Sequence, residues 1–542
     1  MPISTIILYS IKGWCLQIAL RKISSSLISI MVRGRYNAVY KKFSIDNYCY
    51  IEDDQSGFVK EKYTPSNLFR LLCEIEEKMG VDEVSLNGDK LWNLVRTYLY
   101  FYPIEKKEIS KKTVYRNFYY WLKKSLLPIQ IPLNFSIWGF SNSRSRKEKL
   151  GKLYNMYLDP LYKITDDFAV FEWPSLIEYP KDKIYSKNYV SMHIPIYTKT
   201  FWEIVFGKIK CNKIDIESRE ILDDAIKLFG TRAQIDTNRL KRDVYKFILL
   251  FGGMEKFFIQ LLKRYSPKVI LIICGYSGFN MALSQACKKL NIPSIELQHG
   301  IITKYHVGYV RGTKSDNRDL VPEYLLTYGD AFSKIVKEGF LFEKDKVISV
   351  GFPYLEEIKE SPSLVNEKIK KFVDKFSTNI LVTSQWTVGI EIKKFVVELS
   401  KKVDNNIGII FKPHPRDWRS YDDLRRYKNI FLASKYEDTY EIFKVVDVHS
   451  TVYSTSGLEA LAFGKPNIYI DIGKTSIEDM LHVVDNKSSF IASSPSRYIK
   501  ILKEIIEDYD SISRKAEISA EKIFKSNAKR NIEKFFNSLG II

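Results

Sequence analysis

Residues 268–300 read KVILIICGYSGFNMALSQACKKLNIPSIELQHG and contain a complete structural unit. Lys268–Cys274 is almost continuously apolar, which is typical of a strand buried on both faces of a parallel sheet. Asn280–Leu290 has the spacing of a helix, and Ser294–Leu297 is a second short strand. A strand, a helix and a strand in this order predict a βα crossover on a parallel sheet.

The same alternation continues towards the C-terminus and then restarts. Further strands are predicted at Tyr324–Thr327, Val347–Val350, Asn379–Thr383, Ile407–Phe411, Asn429–Leu432, Val446–His449 and Asn467–Asp471. The helical patterns between them are Ala331–Glu338, Ile390–Lys402, Tyr440–Val445 and Gly457–Phe463. A polar stretch between Lys359 and Ser377 interrupts the series, so we expect a linker near residue 365.

This pattern predicts an α/β protein with two Rossmann-like domains that face a central cleft. We expect the first domain over residues 81–360, the second over 370–497, and C-terminal helices that pack back over 498–542. Upstream strand candidates are Ile131–Phe140 and Phe168–Trp173, and residues 215–265 have helical spacing. Residues 1–80 are assigned to an N-terminal extension, for which the sequence predicts no clear structure.

The composition excludes several classes of protein. A hydrophobic fraction of 45% is typical of a folded chain, and the net charge of +20 favours an acidic partner. The basic residues are scattered rather than grouped, which is typical of a solvated surface and not of a nucleic-acid site. The six cysteines form no CxxC pair and no zinc spacing, so we expect free thiols and a cytoplasmic protein.

The first 45 residues combine many Ile and Leu residues with basic residues and no acidic residue. Lys12, Arg21 and Lys22 interrupt the apolar runs, so a membrane-spanning helix is not expected. Two interpretations stay open for this segment. It lies as a basic amphipathic segment on an anionic membrane surface, or it forms a partly buried first helix.

Ligands of open parallel sheets bind outside the carboxyl ends of the strands. Three polar clusters follow predicted strands or precede a helix at that edge, and they are Gln298–Gly300, Lys412–Arg416 and Ser454–Gly457. His299 ends a strand of the first domain, where an imidazole would be able to take a proton from an attacking hydroxyl at neutral pH. The alternative for His299 is a core histidine bonded to the backbone.

The second cluster holds His414 between two prolines, which fix the turn and aim its side chain. An imidazole there would donate to a phosphate oxygen and stabilise a departing nucleotide, and Lys412 and Arg416 would add positive charge. The alternative is a polar loop histidine without a ligand. His193, His306, His449 and His482 are predicted to be structural or surface residues, since none has a comparable placement.

The third cluster precedes a predicted helix, and free backbone N–H groups at such a start attract anions. Ser454, Thr455 and Ser456 would add hydroxyl donors, Gly457 would allow close approach, and Glu459 would accept hydrogen bonds from ribose. A simple helix cap is the alternative. No P-loop, dinucleotide fingerprint or nucleophile elbow is present. The one DxD sequence, Asp508–Asp510, lies in a helical stretch, so neither a metal site nor a cofactor is expected.

The clusters occur in a fixed order together with Val350–Pro353, and the third continues to Pro466. This series resembles bacterial surface and capsular polysaccharide transferases of the GT-B fold. That group includes Kdo transferases, polysialyltransferases and CDP-glycerol glycerophosphotransferases. The resemblance covers residues 265–475. It implies a metal-independent site in the cleft, with an acceptor-binding first domain and a nucleotide-binding second domain.

The resemblance also implies a role for each matched residue. His414 would contact the donor phosphate, Ser454 and Ser456 would hold the nucleotide phosphate, and His299 would be the acceptor base. The implied reaction is transfer of a sugar from a nucleotide-sugar donor to a glycan or lipid-linked acceptor in surface polysaccharide synthesis. Peripheral attachment to the inner face of the plasma membrane would suit such an acceptor.

One departure from the family pattern bears on the donor. Glycerophosphotransferases have Trp-His-Gly where this chain has Gln298-His299-Gly300, which argues against a glycerol-phosphate donor. We therefore expect a glycosyltransferase. The alternatives are a polyol-phosphate transferase of the CDP-glycerol type, a UDP-sugar 2-epimerase, and a non-catalytic protein that binds glycan or membrane.

Overall fold

The computed structural model describes residues 64–103, 135–142, 145–149, 151–173, 183–192, 214–385, 388–415, 417, 419–472 and 485–542. The basic segment 1–45 and the candidate residue Arg416 lie outside the described residues. Within the described ranges, no helix combines the length and the apolar character needed to cross a membrane.

Strands and helices are numbered here in chain order. The strands are β1 Ser85–Leu86, β2 Asp89–Lys90, β3 Ile137–Ser141, β4 Arg146–Lys149, β5 Lys152–Asn155, β6 Phe168–Glu172, β7 Tyr189–Ser191, β8 Val269–Ile273, β9 Ser294–Leu297, β10 Tyr324–Thr327, β11 Val347–Ser349, β12 Thr378–Thr383, β13 Ile407–Lys412, β14 Ile430–Leu432, β15 Val448–Thr451, β16 Asn467–Ile470 and β17 Ser489–Ala492. The helices are α1 Pro65–Lys78, α2 Trp92–Phe101, α3 Ile216–Arg232, α4 Thr237–Tyr265, α5 Gly278–Lys289, α6 Asp330–Glu338, α7 Pro353–Glu360, α8 Glu367–Val373, α9 Gly389–Ser400, α10 Thr439–Phe443, α11 Ser456–Ala462, α12 Pro495–Glu507, α13 Tyr509–Ile523 and α14 Ala528–Ser538.

Two parallel sheets form the framework. The first has the strand order β11-β10-β9-β8-β3-β6-β7, and the second has the order β14-β13-β12-β15-β16-β17. Every pairing within these two sheets is parallel. This arrangement confirms the predicted α/β class with two parallel-sheet domains.

The strand order reverses once in each sheet, and the reversal marks the expected crevice. In the first sheet the chain proceeds outwards from β3 in one direction and from β8 in the other. In the second sheet the corresponding neighbours are β12 and β15. The carboxyl ends of these four strands therefore define where a ligand would enter.

The apolar strand β8 shows why the first sheet needs cover on both faces. Ile270 and Ile272 are buried in the same cluster as the apolar side of α4 and α5. Val269 and Leu271 point to the opposite face, because side chains alternate along a strand, and there they pack in a cluster with Phe536 of α14. The last helix of the chain thus completes the core of the first domain.

Several elements differ from the sequence prediction. The antiparallel hairpin β4–β5 was not predicted between the strand candidates Ile131–Phe140 and Phe168–Trp173. The predicted linker contains helix α8, which buries Ile369 and Phe372. The helical stretch 215–265 is two helices, because Asp236 caps a new helix after α3 ends. The short strands β7 and β17 had no clear period-two pattern and were not expected.

Candidate functional site

His299 lies two residues beyond β9, and its side chain is only 12% exposed. The hydroxyl of Tyr309 is 3.0 Å from its Nδ1 atom, and the hydroxyl of Tyr276 is 3.3 Å from its Nε2 atom. Tyr157 donates a hydrogen bond of 2.6 Å to the backbone carbonyl of His299. His299 is therefore held by side chains from three separate parts of the chain, two at its ring and one at its backbone carbonyl.

A buried carboxylate lies behind this histidine. Glu296 is in β9 and is 1% exposed, and its Oε1 atom is 3.9 Å from Nδ1 of His299. The same oxygen accepts hydrogen bonds from the Tyr309 hydroxyl at 2.8 Å and from the Gly275 backbone N–H at 2.9 Å. A carboxylate, a phenol and an imidazole are thus arranged in series.

Tyr276 and Gly275 belong to the loop that follows β8, at the point where the strand order reverses. Cys274 turns the chain there with a φ of 67°. A Cβ atom on Gly275 would lie 2.2 Å from Oε2 of Glu296, so only glycine lets the loop approach this carboxylate. Sequence reasoning missed Tyr276 and Tyr309, because neither stands beside a recognisable motif.

Gln298, the residue that departs from the family pattern, faces the protein. Its amide donates to the carbonyl of Gly300 at 2.7 Å and accepts from the N–H of Tyr328 at 2.8 Å. Gln298 is 1% exposed. Its side chain therefore fixes the backbone around His299, and it does not report on which donor is bound.

Lys412 ends β13 and is 5% exposed. Its Nζ atom has one long hydrogen bond, 3.4 Å to the carbonyl of Lys435, and no carboxylate among the described residues forms an ion pair with it. The pKa of Lys412 is lowered to about 8, mainly by burial and also by the nearby charge of Lys147, while Asp438 and Glu437 act in the opposite direction. A buried ammonium without an ion pair among the described residues would gain from binding an anion.

His414 follows Lys412 by two residues and is partly exposed. The backbone N–H of Asp417 donates to its carbonyl at 2.9 Å and closes a turn. Asp417 accepts from the Tyr421 hydroxyl at 2.6 Å and pairs with Arg419 at 2.8 Å. The turn that carries His414 is therefore anchored by a carboxylate that the sequence alone did not single out.

Ser456 is fixed from the protein interior. Its hydroxyl is 3.0 Å from that of Thr383, which is 2.9 Å from Nε2 of the buried His449. Nδ1 of His449 is 2.6 Å from the side-chain oxygen of Asn467. Burial lowers the pKa of His449 to about 3, so this histidine is neutral and acts as a spacer. Thr383 ends β12, at the reversal point of the second sheet, and was also missed.

The other members of this turn have different surroundings. Ser454 and Thr455 are partly exposed, and the hydroxyl of Ser454 accepts from the N–H of Ser456 at 3.2 Å. A Cβ atom on Gly457 would lie 2.6 Å from the hydroxyl oxygen of Tyr469. Glycine at this position is therefore explained by packing against Tyr469.

Glu459 lies where the two domains meet. Burial is the main cause that raises the pKa of Tyr328 in the first domain and of Tyr440 in the second. The charge of Glu459 also raises both pKa values. Phe352 stacks on Tyr328 with ring centroids 4.6 Å apart and on Tyr157 at 5.7 Å. Since Tyr157 also contacts His299, an aromatic bridge connects His299 with the environment of Glu459.

The carboxyl group of Glu459 is enclosed by protein although the residue is partly accessible. Burial raises its pKa to about 7, while Tyr440 and Lys147 act in the opposite direction. The folded state therefore holds a proton on Glu459 between about pH 4.5 and 7, where the unfolded chain has lost it. Stability from this group is present below that window and is lost as the pH rises through it.

We expect Glu459→Gln to become more stable relative to the wild type as the pH rises from 5 to 8, by about 1–3 kcal/mol. Glutamine stays neutral and avoids the cost of burying a charge. Urea denaturation at both pH values measures the change. The exposed residue Glu504 provides a matched control, since Glu504→Gln is expected to show no such trend. Equal differences at the two pH values would contradict the raised pKa.

One family model matches part of the chain. Residues 277–539 match the sequence model of the family described as CDP-Glycerol:Poly(glycerophosphate) glycerophosphotransferase. The matched region is 263 of the 542 residues and contains His299, Lys412, His414 and Glu459. It supports a transferase with a nucleotide-linked donor. No curated protein matches the chain in sequence.

Several solved structures are similar to the chain at low identity. The S. aureus MnaA–UDP structure is 13% identical, with a TM-score of 0.45, and the match covers 75% of this chain and 97% of that one. A UDP-GlcNAc 2-epimerase from Methanocaldococcus jannaschii, in complex with UDP-GlcNAc and UDP, is 15% identical, with a TM-score of 0.41, and covers 74% and 99%. The wall teichoic acid polymerase TagF is 12% identical, with a TM-score of 0.42, and covers 87% and 97%. Identities this low leave the reaction to be argued from the residues of the site.

Proposed function

We propose that this protein transfers a polyol phosphate, of the glycerol phosphate type, from a CDP-linked donor to an acceptor hydroxyl. The family match over residues 277–539 carries this proposal, since it covers the base candidate His299 and the cation Lys412. The preference expected from sequence, a sugar from a nucleotide-sugar donor, becomes the second candidate. It retains support from the same cleft and the same cationic groups.

The surroundings of Gln298 remove the main objection to a polyol-phosphate donor. Tryptophan is replaced by glutamine at this position, but the glutamine side chain bonds to the backbone of Gly300 and Tyr328. The glutamine side chain therefore serves to hold the loop, and its presence is compatible with a polyol-phosphate donor.

The proposed chemistry is a displacement at phosphorus. The acceptor oxygen forms a bond to the phosphorus of the polyol phosphate as its proton passes to Nε2 of His299. The bond from that phosphorus to the bridging oxygen breaks, and CMP leaves with an additional negative charge. Lys412 and His414, with the hydroxyls of Ser454 and Thr455, stabilise that charge through fixed donors.

Lys412 suits this role because its environment favours a bound anion. Lys412 is buried near the positive charge of Lys147, and a phosphate would compensate both. Diphosphate binding would thus raise the pKa of Lys412 and keep it charged at neutral pH. A donor phosphate gains a charged partner that solvent screens little.

The function is tested by a donor screen. Purified protein is incubated with CDP-glycerol, or with UDP-, CMP- and GDP-sugars, together with a lipid-linked glycerol phosphate or glycan acceptor. Release of CMP from CDP-glycerol, with growth of the acceptor, supports the proposal. Turnover of a nucleotide sugar alone would establish the second candidate instead.

We expect turnover to persist in excess EDTA, since the buried ammonium of Lys412 supplies positive charge at the leaving phosphate. The measurement is CMP release before and after chelation. The matched control is a metal-dependent transferase assayed in the same buffer. Complete loss of turnover, restored by Mg²⁺ or Mn²⁺, would show that the fixed cation is insufficient.

We also propose that the basic N-terminal segment binds an anionic bilayer, which would keep the enzyme near a lipid-linked acceptor. Each basic residue near an anionic surface contributes about 1 kcal/mol, and salt weakens the effect. We expect the full-length protein to float with phosphatidylglycerol vesicles at low salt. A variant lacking about the first 40 residues, shown by circular dichroism to be folded, is expected to remain unbound. Failure of the full-length protein to float would contradict this proposal.

A further inference from the structure

We propose that Glu296 and Tyr309 are positioning residues that hold His299 in the tautomer protonated on Nδ1, so that Nε2 receives the acceptor proton. The proposal rests on the proposed function, in which His299 is the base. It adds two residues that no motif of the sequence indicated. The direction of each hydrogen bond in the series determines the tautomer.

The first step is the proton of Tyr309. Oε1 of Glu296 is 2.8 Å from the Tyr309 hydroxyl and 2.9 Å from the Gly275 N–H. In its ionised form Glu296 only accepts, and both neighbours carry a proton to donate. Tyr309 has a single hydroxyl proton, which is therefore directed at Glu296.

The second step follows at His299. The Tyr309 oxygen is 3.0 Å from Nδ1, and its own proton is already engaged with Glu296. It must therefore accept a hydrogen bond, so Nδ1 carries the proton of the neutral ring. Nε2 then keeps its lone pair, facing the Tyr276 hydroxyl at 3.3 Å. An acceptor hydroxyl that takes the place of this long contact meets a basic nitrogen.

The third step is charge. When Nε2 takes the proton of the acceptor, the ring becomes an imidazolium, and the electron pair of the broken O–H bond forms the new bond to phosphorus. The Glu296 carboxylate, 3.9 Å from Nδ1, stabilises this cation. Because Glu296 is 1% exposed, solvent screens the attraction little. After CMP departs, the proton passes to solvent.

The surroundings are shaped to this carboxylate. Only glycine fits at position 275, since an added Cβ atom would lie 2.2 Å from Oε2 of Glu296. Gly308 similarly allows Tyr276 to approach, because a Cβ there would lie 2.3 Å from the tyrosine ring. Both tyrosines and the carboxylate are thus held within narrow limits, as a fixed tautomer requires.

The test compares Tyr309 with Tyr305, a partly exposed tyrosine of the same loop whose hydroxyl accepts from Arg70. Nitrogen-15 spectra of the histidine-labelled, ligand-free protein report which ring nitrogen carries the proton. Only six histidines are present, and the signal missing in His299→Asn assigns the residue. We expect Tyr309→Phe to shift His299 away from the Nδ1-protonated form, whereas Tyr305→Phe leaves the form unchanged.

Turnover of CDP-glycerol provides the second readout. We expect Tyr309→Phe to lower kcat about 10–10³-fold with KM nearly unchanged, because the base presents the wrong nitrogen. Glu296→Gln keeps the shape of the side chain but removes its charge, and it is expected to lower kcat similarly. This variant tests the same role if Tyr309→Phe does not fold. Tyr305→Phe is expected to stay within a few-fold of the wild type.

The outcomes separate this inference from the function on which it rests. If His299→Asn keeps full turnover, the proposed role of His299 fails whatever its tautomer. If His299→Asn is inactive but Tyr309→Phe keeps both the Nδ1-protonated form and wild-type kcat, the positioning role is overturned and the function stands. If Tyr305→Phe changes the tautomer as much as Tyr309→Phe does, the specific role of the Tyr309 hydroxyl is overturned.

Discussion

His299→Asn is expected to lower kcat by about 10²–10⁴-fold while nucleotide binding stays intact. The physical reason is that Nε2 of His299 would be the base for the acceptor proton, whereas the proposed phosphate-binding residues Lys412 and His414 lie on the other domain. Asparagine keeps a polar side chain of similar reach but has no basic nitrogen.

The measurement combines CMP release from CDP-glycerol with a thermal-shift titration by CDP. A ligand at about 100 times its Kd stabilises a protein by about 2.7 kcal/mol, and this stabilisation should be the same in the variant and the wild type. Loss of CDP stabilisation in His299→Asn would indicate that the histidine serves the donor. Unchanged kcat would refute its role as the base.

Lys412→Met is expected to lose donor binding and about 10²–10³-fold in turnover, and yet to be more stable than the wild type. Methionine has a similar length and suits a buried position without requiring an anion. Burial lowers the pKa of Lys412 to about 8 in the folded state, below its ordinary value of 10.5. Below pH 8 the folded protein therefore carries a buried charge at a cost, which the substitution removes.

We expect the free energy of unfolding of the ligand-free variant to exceed that of the wild type by about 1–3 kcal/mol at pH 7. The difference should shrink as the pH rises from 8 towards 10.5, since the wild-type lysine then loses its proton in the folded state first. Lys428→Met, at an exposed position of the same domain, is the matched control and should alter neither quantity. A destabilised Lys412→Met with normal CDP binding would contradict the anion-site assignment.

From β8 to β16 the sequence predicted most strand ends to within one residue, because most of these parallel strands are short apolar runs. The exception is β15, which was expected at Val446–His449 and lies at Val448–Thr451. Strands β9 and β10 begin and end where the pattern placed them. The hairpin β4–β5 was not predicted, since its first strand, Arg146–Lys149, consists only of charged residues. A linker was predicted where helix α8 lies, because most of this helix is polar and only Ile369, Phe372 and Val373 are buried.

The site was predicted less completely, and the reason is geometric. His299 and Lys412 follow strands directly, so a rule about strand ends finds them. Tyr309 lies ten residues beyond His299 in an irregular loop, and Thr383 meets Ser456 across 73 positions. Such contacts depend on how loops return to the sheet, which local patterns do not encode. The inward orientation of the Gln298 side chain likewise becomes visible only in the folded structure.

The return of α14 to the first sheet has a consequence for biosynthesis. Ile532, Phe535 and Phe536 supply part of a core whose other members begin near residue 137. The first domain therefore cannot close that face until α14 has emerged from the ribosome, although domains generally fold from the N-terminus as they emerge. We expect truncation before α14 to expose Val269 and Leu271 and to promote aggregation.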